Sequence, residues 1–301
     1  MLAAIPPWLW VLFTVTAAAA QTARNVMQRD LVAKIGTAGA TYVRFLFGLP
    51  FAIVFLVAQR RATGEALSEI GMRALAWCFV ASMAQIVATA LMLMAMKDRS
   101  FVVTIAFTKT EPVLVALFSI LILSEAPTPV VALAIVIATV GVMVMSRTGD
   151  DPAGQTSLRP ALVGIASAAF FGLSATGYRG TILALASPSF LITATTTLVM
   201  GLAMQCAVIL AWLSWRDRPL LRAIAANWRP SLLAGFIGAF ASQFWYLAFA
   251  ISTPTKVRTL ALIEVPFAQV VSRGLFKQGM HAREIIGIGL IVAGVVILLN
   301  G

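Results

Sequence analysis

Ten apolar runs, each long enough to cross a lipid bilayer, fill almost the whole of this 301-residue chain. A spanning helix needs about 20 predominantly apolar residues, so ten crossings leave only short connections, none longer than about 18 residues. Because backbone groups in hydrocarbon must be hydrogen-bonded internally, runs without polar alternation predict helices and not the strands of a barrel. The sequence therefore predicts an all-α integral membrane protein with ten transmembrane helices, at residues 7–28, 38–58, 74–96, 101–123, 129–146, 160–184, 190–213, 231–252, 256–276 and 284–300.

The composition agrees with a chain immersed in lipid. Hydrophobic residues make up 60% of the sequence and charged residues 11%, whereas soluble domains hold about 45–50% apolar and about 25% charged residues. The net charge is +11, but no basic stripe follows any predicted helix, so we expect no nucleic acid as a partner. Basic residues in short connections orient spanning helices and contact anionic headgroups, so we expect membrane lipid to be their partner.

An internal repeat relates the two halves of the chain. A displacement of 153 residues places Glu111 on Glu264 and Gly141 on Gly294. Each glutamate is followed by an apolar half-span, a short polar turn and a final apolar run. Two such coincidences at one displacement indicate that the chain contains the same helical pattern twice.

The repeat predicts two five-helix halves, residues 1–150 and 151–301, within one membrane domain. Because five is an odd number, the second half must cross the bilayer in the opposite sense, which makes the repeat an inverted one. Inverted repeats are typical of secondary transporters, in which one half rocks against the other and opens a central site to alternate sides.

The segments around these glutamates carry a family resemblance. In the first half they are EPVLVAL at 111–117, SEAP at 124–127 and IATVGVM at 137–143, and in the second half PFA at 266–268 and GIGLIVAG at 287–294. Together with the ten-run plan, they resemble the EamA type of the drug/metabolite transporter superfamily, whose bacterial members include amino-acid exporters of the YddG kind. The second half departs from the family pattern where Lys277-Gln278-Gly279 replaces the Ser-Glu turn.

The resemblance implies export of small metabolites through a central cavity, lined mainly by the first, third, fourth, sixth, eighth and ninth helices. It also implies cytoplasmic termini. The connections after odd-numbered spans, with their flanking span ends, hold 14 basic residues and the alternate set holds six, which places both termini outside the cytoplasm by the positive-inside rule. The sequence leaves both orientations open.

Only two acidic side chains lie deep in the apolar runs. Glu111 lies about 15 Å along its span and Glu264 is comparably deep, whereas every other acidic residue lies in a connection or at a span end. A charge at the helix centre costs about 2.5–3.5 kcal/mol, so each needs a partner, water or a function. Both are candidates for substrate binding or coupling, beside the helix-distorting Pro112 and Pro266. The alternative is a structural acid held by an arginine or a backbone donor.

The basic residues of the apolar runs receive different interpretations. Lys109 lies two residues before Glu111, about 200° around a helix, so it must reach another helix, the cavity or the membrane boundary. It joins the candidate site for that reason. Arg44 is interpreted as a structural or snorkelling arginine, and Arg24 and Arg258, nearer the ends of their runs, as headgroup anchors.

Uncharged polar and aromatic residues complete the candidate site. Amides hydrogen-bond the carboxylate or ammonium of an amino acid, and aromatic faces suit apolar or cationic groups. The alternative role is a hydrogen bond between helices, often worth only about 0.6 kcal/mol. The candidates for substrate binding are Gln21, Gln85, Gln243, Trp245 and Tyr246.

The sequence lacks the P-loop, HExxH and GxSxG motifs, so we expect no ATP-driven transport, catalytic residue, metal or cofactor. We predict a monomeric, multi-pass secondary transporter of the inner membrane that exports small molecules, amino acids with aromatic or other apolar side chains above all. The alternatives are a drug or other metabolite permease of the same fold, a membrane-embedded transferase acting on lipid, and a non-transporting structural or sensory subunit.

The predicted mechanism couples protonation of Glu111 or Glu264 to the rocking of one half against the other. Pro112 and Pro266 would assist it, because a proline leaves a backbone carbonyl free at cavity depth. In the alternative, facilitated diffusion, the glutamates only hold helices together.

Overall fold

A computed structural model describes residues 5–98, 108–145, 158–185, 187, 189–266 and 282–301. These residues form helices, and no β-strand occurs among them. A π-helical segment spans Ser119–Leu123, and a 3₁₀ segment spans Ala261–Ile263. The α-helices are α1 (Leu9–Leu46), α2 (Leu49–Thr63), α3 (Met72–Asp98), α4 (Glu111–Phe118), α5 (Pro129–Met145), α6 (Leu158–Ala184), α7 (Phe190–Arg216), α8 (Arg218–Ala226), α9 (Trp228–Ile251), α10 (Pro254–Leu260) and α11 (Ala282–Asn300).

Several helices have the length and apolar composition that a bilayer requires. Five segments of the described chain qualify, and they are Asp30–Thr63, Met72–Met94, Phe190–Arg216, Trp228–Ile251 and Ala282–Asn300. Two shorter apolar helices span Glu111–Leu123 and Pro129–Met145. The all-helical membrane class is thereby confirmed, while the count of ten spans stays a prediction. Parts of the predicted spans at 101–123 and 256–276, and the Lys277-Gln278-Gly279 turn, lie outside the described residues.

The first predicted span and the beginning of the second are joined in one long helix with a kink. Helix α1 has 38 residues, and a straight helix of that length would measure about 57 Å, far more than a hydrocarbon core of about 30 Å. The backbone leaves helical geometry at Gly36, with φ 71° and ψ 176°. This left-handed φ is open to glycine at little cost, so Gly36 divides α1 between the two predicted spans.

The helices assemble into two compact units, each built from both halves of the sequence. Unit 1 comprises Met1–Ile86 and Ser174–Thr253, and unit 2 comprises Val87–Leu173 and Pro254–Gly301. The compact units therefore differ from the predicted sequence halves, residues 1–150 and 151–301. Each unit contains equivalent helices from the two halves. In unit 2, for example, α5 comes from the first half and α11 from the second.

Helices α5 and α11 approach backbone to backbone in unit 2. A Cβ atom added to Gly141 would lie 2.8 Å from the carbonyl oxygen of Gly287, and one added to Gly294 would lie 2.9 Å from that of Ala134. Under the 153-residue displacement Gly141 corresponds to Gly294 and Ala134 to Gly287. The two contacts are thus the same contact made twice in opposite directions, which is what a pseudo-two-fold axis between the helices requires.

Candidate functional site

The deep glutamates lie in unit 2, each next to a basic side chain. Lys109 Nζ forms an ion pair with Oε1 of Glu264. Arg258 Nε lies 3.1 Å from Oε1 of Glu111. The four side chains are only 9–13% exposed, so both pairs lie largely out of solvent. Unit 2 therefore contains two buried ion pairs, each made of one carboxylate and one cation.

The local backbone sets these positions. Glu111 is the first residue of α4, where the helix dipole favours a carboxylate. Pro112 occupies the first turn, in which its missing N–H is not needed. Lys109 lies in the turn immediately before α4. Glu264 directly follows the 3₁₀ segment after α10, and Pro266 is buried at the end of this described stretch.

The ion pairs run crosswise between the two sequence halves. Each glutamate is paired with a cation from the other half, since Glu111 meets Arg258 and Glu264 meets Lys109. Under the displacement of 153 residues, Lys109 corresponds to position 262, four residues after Arg258. The two cations therefore lie about one helical turn apart in the repeat. The arrangement is pseudo-symmetric although the cations are not at equivalent positions.

Both carboxylates retain an unused hydrogen-bonding oxygen. Oε2 of Glu264 is buried and has no hydrogen bond. Oε1 of Glu111 has none either, because the Arg258 guanidinium lies close but is not aligned for one. A buried acceptor without a hydrogen bond costs about 1–3 kcal/mol, so a hydrogen-bond donor would be stabilised at Oε2 of Glu264.

Two of the sequence-based interpretations are wrong. Arg258 is not a headgroup anchor, because it is buried and paired with Glu111. Arg24 is not one either, because it is 1% exposed and its guanidinium donates a hydrogen bond of 3.0 Å to Asn25 Oδ1. Hydropathy places Arg24 near a span end at residue 28, but α1 continues for a further 18 residues to Leu46.

Unit 1 contains a buried polar network around Gln85 of α3. Its Oε1 accepts hydrogen bonds from Nε2 of Gln205 at 2.8 Å and from the hydroxyl of Tyr178 at 3.2 Å. Nε2 of Gln205 is also 3.1 Å from the Tyr178 hydroxyl. The Tyr178 ring packs on that of Tyr246, with centroids 4.6 Å apart. The structure thus brings together two predicted residues, Gln85 and Tyr246, with two that the sequence reasoning missed.

The missed residues carried a weak sequence signal. Gln205 is the only amide in the apolar run 190–213, and Tyr178 is one of three tyrosines in the chain. Their partner Gln85 is distant in sequence, however, since its position number differs by 93 from that of Tyr178 and by 120 from that of Gln205. Composition could therefore single out the residues but could not place them together.

The other predicted residues of unit 1 have separate partners. Nε2 of Gln243 donates to Oγ1 of Thr195 at 2.8 Å, and that hydroxyl donates to Gln59. Nε1 of Trp245 donates to Oε1 of Gln21 at 3.0 Å. These hydrogen bonds join different helices, so they also serve the structural role that the sequence leaves open for such amides.

The comparisons with known proteins agree with this helical, repeated architecture. The profile of the EamA-like transporter family matches the chain twice, over residues 8–147 and 158–300. A protein of known crystal structure superposes with a TM-score of 0.65 at 16% identity, covering 96% of this chain and 98% of that one, a similarity that shows the fold alone. No protein of curated function matches the sequence. Two family matches that cover nearly the whole chain show that it belongs to the EamA-like transporter family, whose members are membrane transporters.

Proposed function

We propose that this protein is a secondary transporter of the inner membrane that exports amino acids, aromatic or other apolar ones above all, by alternating access. Membership of the family supports transport as such. The observation that carries the mechanism is the crosswise pairing of Glu111 with Arg258 and of Glu264 with Lys109. Each pair joins a segment of one repeat to a segment of the other within unit 2, so a rearrangement of these segments must stretch or break it.

The coupling step that we propose is protonation of one deep glutamate. A neutral carboxyl no longer attracts its cation, so the ion pair between the repeats is weakened when the proton binds. Oε2 of Glu264, which has no hydrogen bond, offers a place for that proton. Proton binding on one side of the membrane and release on the other would then bias the exchange between the two open states.

The substrate class is supported by the chemistry of unit 1. The Gln85 network supplies amide groups that hydrogen-bond a carboxylate or an ammonium. The paired rings of Tyr178 and Tyr246 supply an aromatic surface for an apolar side chain. A small amphipathic metabolite with both kinds of group is therefore the preferred substrate.

A flux assay in proteoliposomes tests this proposal. Labelled phenylalanine, tyrosine, leucine and a panel of other metabolites are loaded, and efflux is measured with and without an imposed pH gradient. We expect protein-dependent efflux of the apolar amino acids that the gradient accelerates. Absence of flux for every amino acid, with flux of another compound, would instead show a permease for other metabolites.

Variants of the glutamates separate coupling from structure. Glu111→Gln and Glu264→Gln keep the size of the side chain but cannot exchange a proton, so we expect flux that no longer responds to the pH gradient. Glu69→Gln changes an exposed glutamate and serves as the matched control. Folded variants with normal flux and unchanged pH dependence would show that the mechanism is facilitated diffusion.

A further inference from the structure

Helix α8 lies at one membrane surface of unit 1. It connects α7, which ends at Arg216, to α9, which begins at Trp228. Both of those helices have the length and apolar composition of membrane spans, so the connection lies where one span leaves the bilayer and the next enters it. A short amphipathic helix in this position can lie along the boundary between headgroups and hydrocarbon.

The residues of α8 divide between an apolar face and a basic face. Leu220, Leu221 and Ile224 fall within an arc of about 100° around the helix. Arg218 and Arg222 lie outside that arc, about 40° from each other. Ile224 is buried and the two leucines are partly buried, whereas both arginines are exposed. The apolar face therefore packs against the protein, and the basic face is open to the surroundings.

Four exposed arginines on and beside α8 form what is here named the α8 cluster: Arg216, Arg218, Arg222 and Arg229. None of them forms an ion pair with another side chain in the part of the chain that the structure describes. The acid among them, Asp217, accepts a hydrogen bond of 3.1 Å from the backbone N–H of Leu220 and so caps α8. Four guanidiniums and one carboxylate leave this connection strongly positive, and its positive charge calls for an anionic partner.

Two tryptophans place the α8 cluster at the level of lipid headgroups. Trp215 is 81% exposed and Trp228 is 50% exposed. The guanidinium of Arg216 lies 5.7 Å from the centre of the Trp215 ring, and that of Arg229 lies 5.4 Å from the centre of the Trp228 ring. Exposed tryptophans at span ends collect at the membrane interface, because the ring is apolar and its N–H is polar. The neighbouring guanidiniums are therefore held at the depth of the lipid phosphates.

We infer that the α8 cluster binds the phosphate headgroup of an anionic phospholipid. A guanidinium can donate two parallel hydrogen bonds to a phosphate, and such charge-assisted bonds are about twice as strong as neutral ones. In a zwitterionic phospholipid an ammonium group cancels the charge of the phosphate, so the cluster prefers a lipid with net negative charge. This inference goes beyond the proposed function, since it does not depend on what the protein transports.

The opposite surface of unit 1 provides a matched control. Arg60 and Arg61 are exposed in the last turn of α2. Gln59 beside them accepts a hydrogen bond from Thr195, near the beginning of α7, whereas α8 follows the end of α7. A lipid attracted by surface charge in general would depend on the arginines of both surfaces, whereas a lipid bound by the α8 cluster depends on α8 alone.

Native mass spectrometry of the purified full chain, released from detergent micelles, tests the inference by counting bound lipids. Dioleoylphosphatidylglycerol is the anionic probe and dioleoylphosphatidylcholine is the zwitterionic one. We expect the wild-type protein to bind phosphatidylglycerol at concentrations at which phosphatidylcholine does not bind. Inorganic phosphate at the same concentration should not displace the lipid, because the acyl chains add apolar burial that free phosphate lacks.

Variants then locate the lipid. A basic side chain near an anionic surface contributes about fivefold in affinity, so the double variant Arg218→Gln/Arg222→Gln should bind phosphatidylglycerol about 25-fold more weakly. Arg218→Lys/Arg222→Lys keeps both charges and should lose much less affinity. Arg60→Gln/Arg61→Gln, at the opposite surface, should bind as the wild type does.

Four results would overturn the inference. They are equal binding of the two lipids, wild-type affinity for phosphatidylglycerol in the folded double glutamine variant of α8, an equal loss in Arg60→Gln/Arg61→Gln, and displacement of the lipid by inorganic phosphate. The last result would show a site for free phosphate and not for lipid. No part of this test measures transport, so a failure of the proposed function in the flux assay leaves its outcome unchanged.

Discussion

The ion pair between Arg258 and Glu111 predicts a measurable coupling energy. At 3.1 Å between Nε and Oε1, and at an effective dielectric constant of about 20, the attraction is about 5 kcal/mol. Loss of hydration offsets part of this, so we expect a net coupling of about 3 kcal/mol. Removal of one partner leaves a buried charge uncompensated and costs about 3–5 kcal/mol. Glu111→Gln and Arg258→Gln should therefore each destabilise the protein strongly, and the double variant should lose less than the two losses added together.

Thermal unfolding of the purified variants in one detergent measures the cycle. A change of 1 kcal/mol shifts the unfolding temperature by about 2 °C in a chain of this size, so the double variant should unfold about 6 °C above the value expected from additivity. Glu69→Gln, at an exposed site, should change stability by less than about 0.5 kcal/mol. Additivity of the two single effects within about 0.5 kcal/mol would show that the contact contributes nothing and that the reasoning is wrong.

Three further predictions test the packing and the polar network. Gly287→Ala places a Cβ 2.7 Å from a backbone oxygen of α5 and should lower the unfolding temperature by several degrees, whereas Gly289→Ala, with no atom within 4 Å, should be neutral or slightly stabilising. Tyr178→Phe removes a hydrogen bond to Gln85 and should cost about 1–2 kcal/mol, whereas Tyr42→Phe removes a buried hydroxyl without one and should cost less. Gly238→Val should crowd the side chains of Arg24 and Arg44 and lower the unfolding temperature by several degrees, measured by thermal unfolding, whereas Gly289→Ala serves as the control.

The class of fold could be predicted because it depends on the length and polarity of apolar runs alone. Those runs identify helices such as α7 and α9 to within three residues at each end, because the bilayer imposes one length and one solvent on every span. The apolar runs cannot show whether two neighbouring runs belong to one continuous helix. The continuation of α1 through residue 30 to a kink at Gly36 depends on one backbone conformation, and hydropathy carries no signal for it.

In unit 2, the sequence could single out the acidic residues of the candidate site but not both of their basic partners. Glu111 and Glu264 stand out because deep acids are rare in this sequence and costly in hydrocarbon. Of their partners, Lys109 was also a candidate, but Arg258 was not. Arg258 lies only two residues inside the predicted span at 256–276, and a cation so close to a span end resembles a headgroup anchor. Burial is a property of neighbouring helices, so tertiary packing and not position in the run decides which cations are buried.

The close approach of α5 and α11 has a consequence for how the two halves of the chain evolve. Gly141 and Gly294 are equivalent positions, and each would drive a Cβ into the backbone of the opposite helix. A larger residue at either position therefore pushes the two helices apart. Both positions must stay small for the close contact to persist. The cations differ in place between the halves, with Lys109 in one and Arg258 in the other. The two repeats can thus differ in where they carry charge, while their residues at the α5–α11 contact must both stay small.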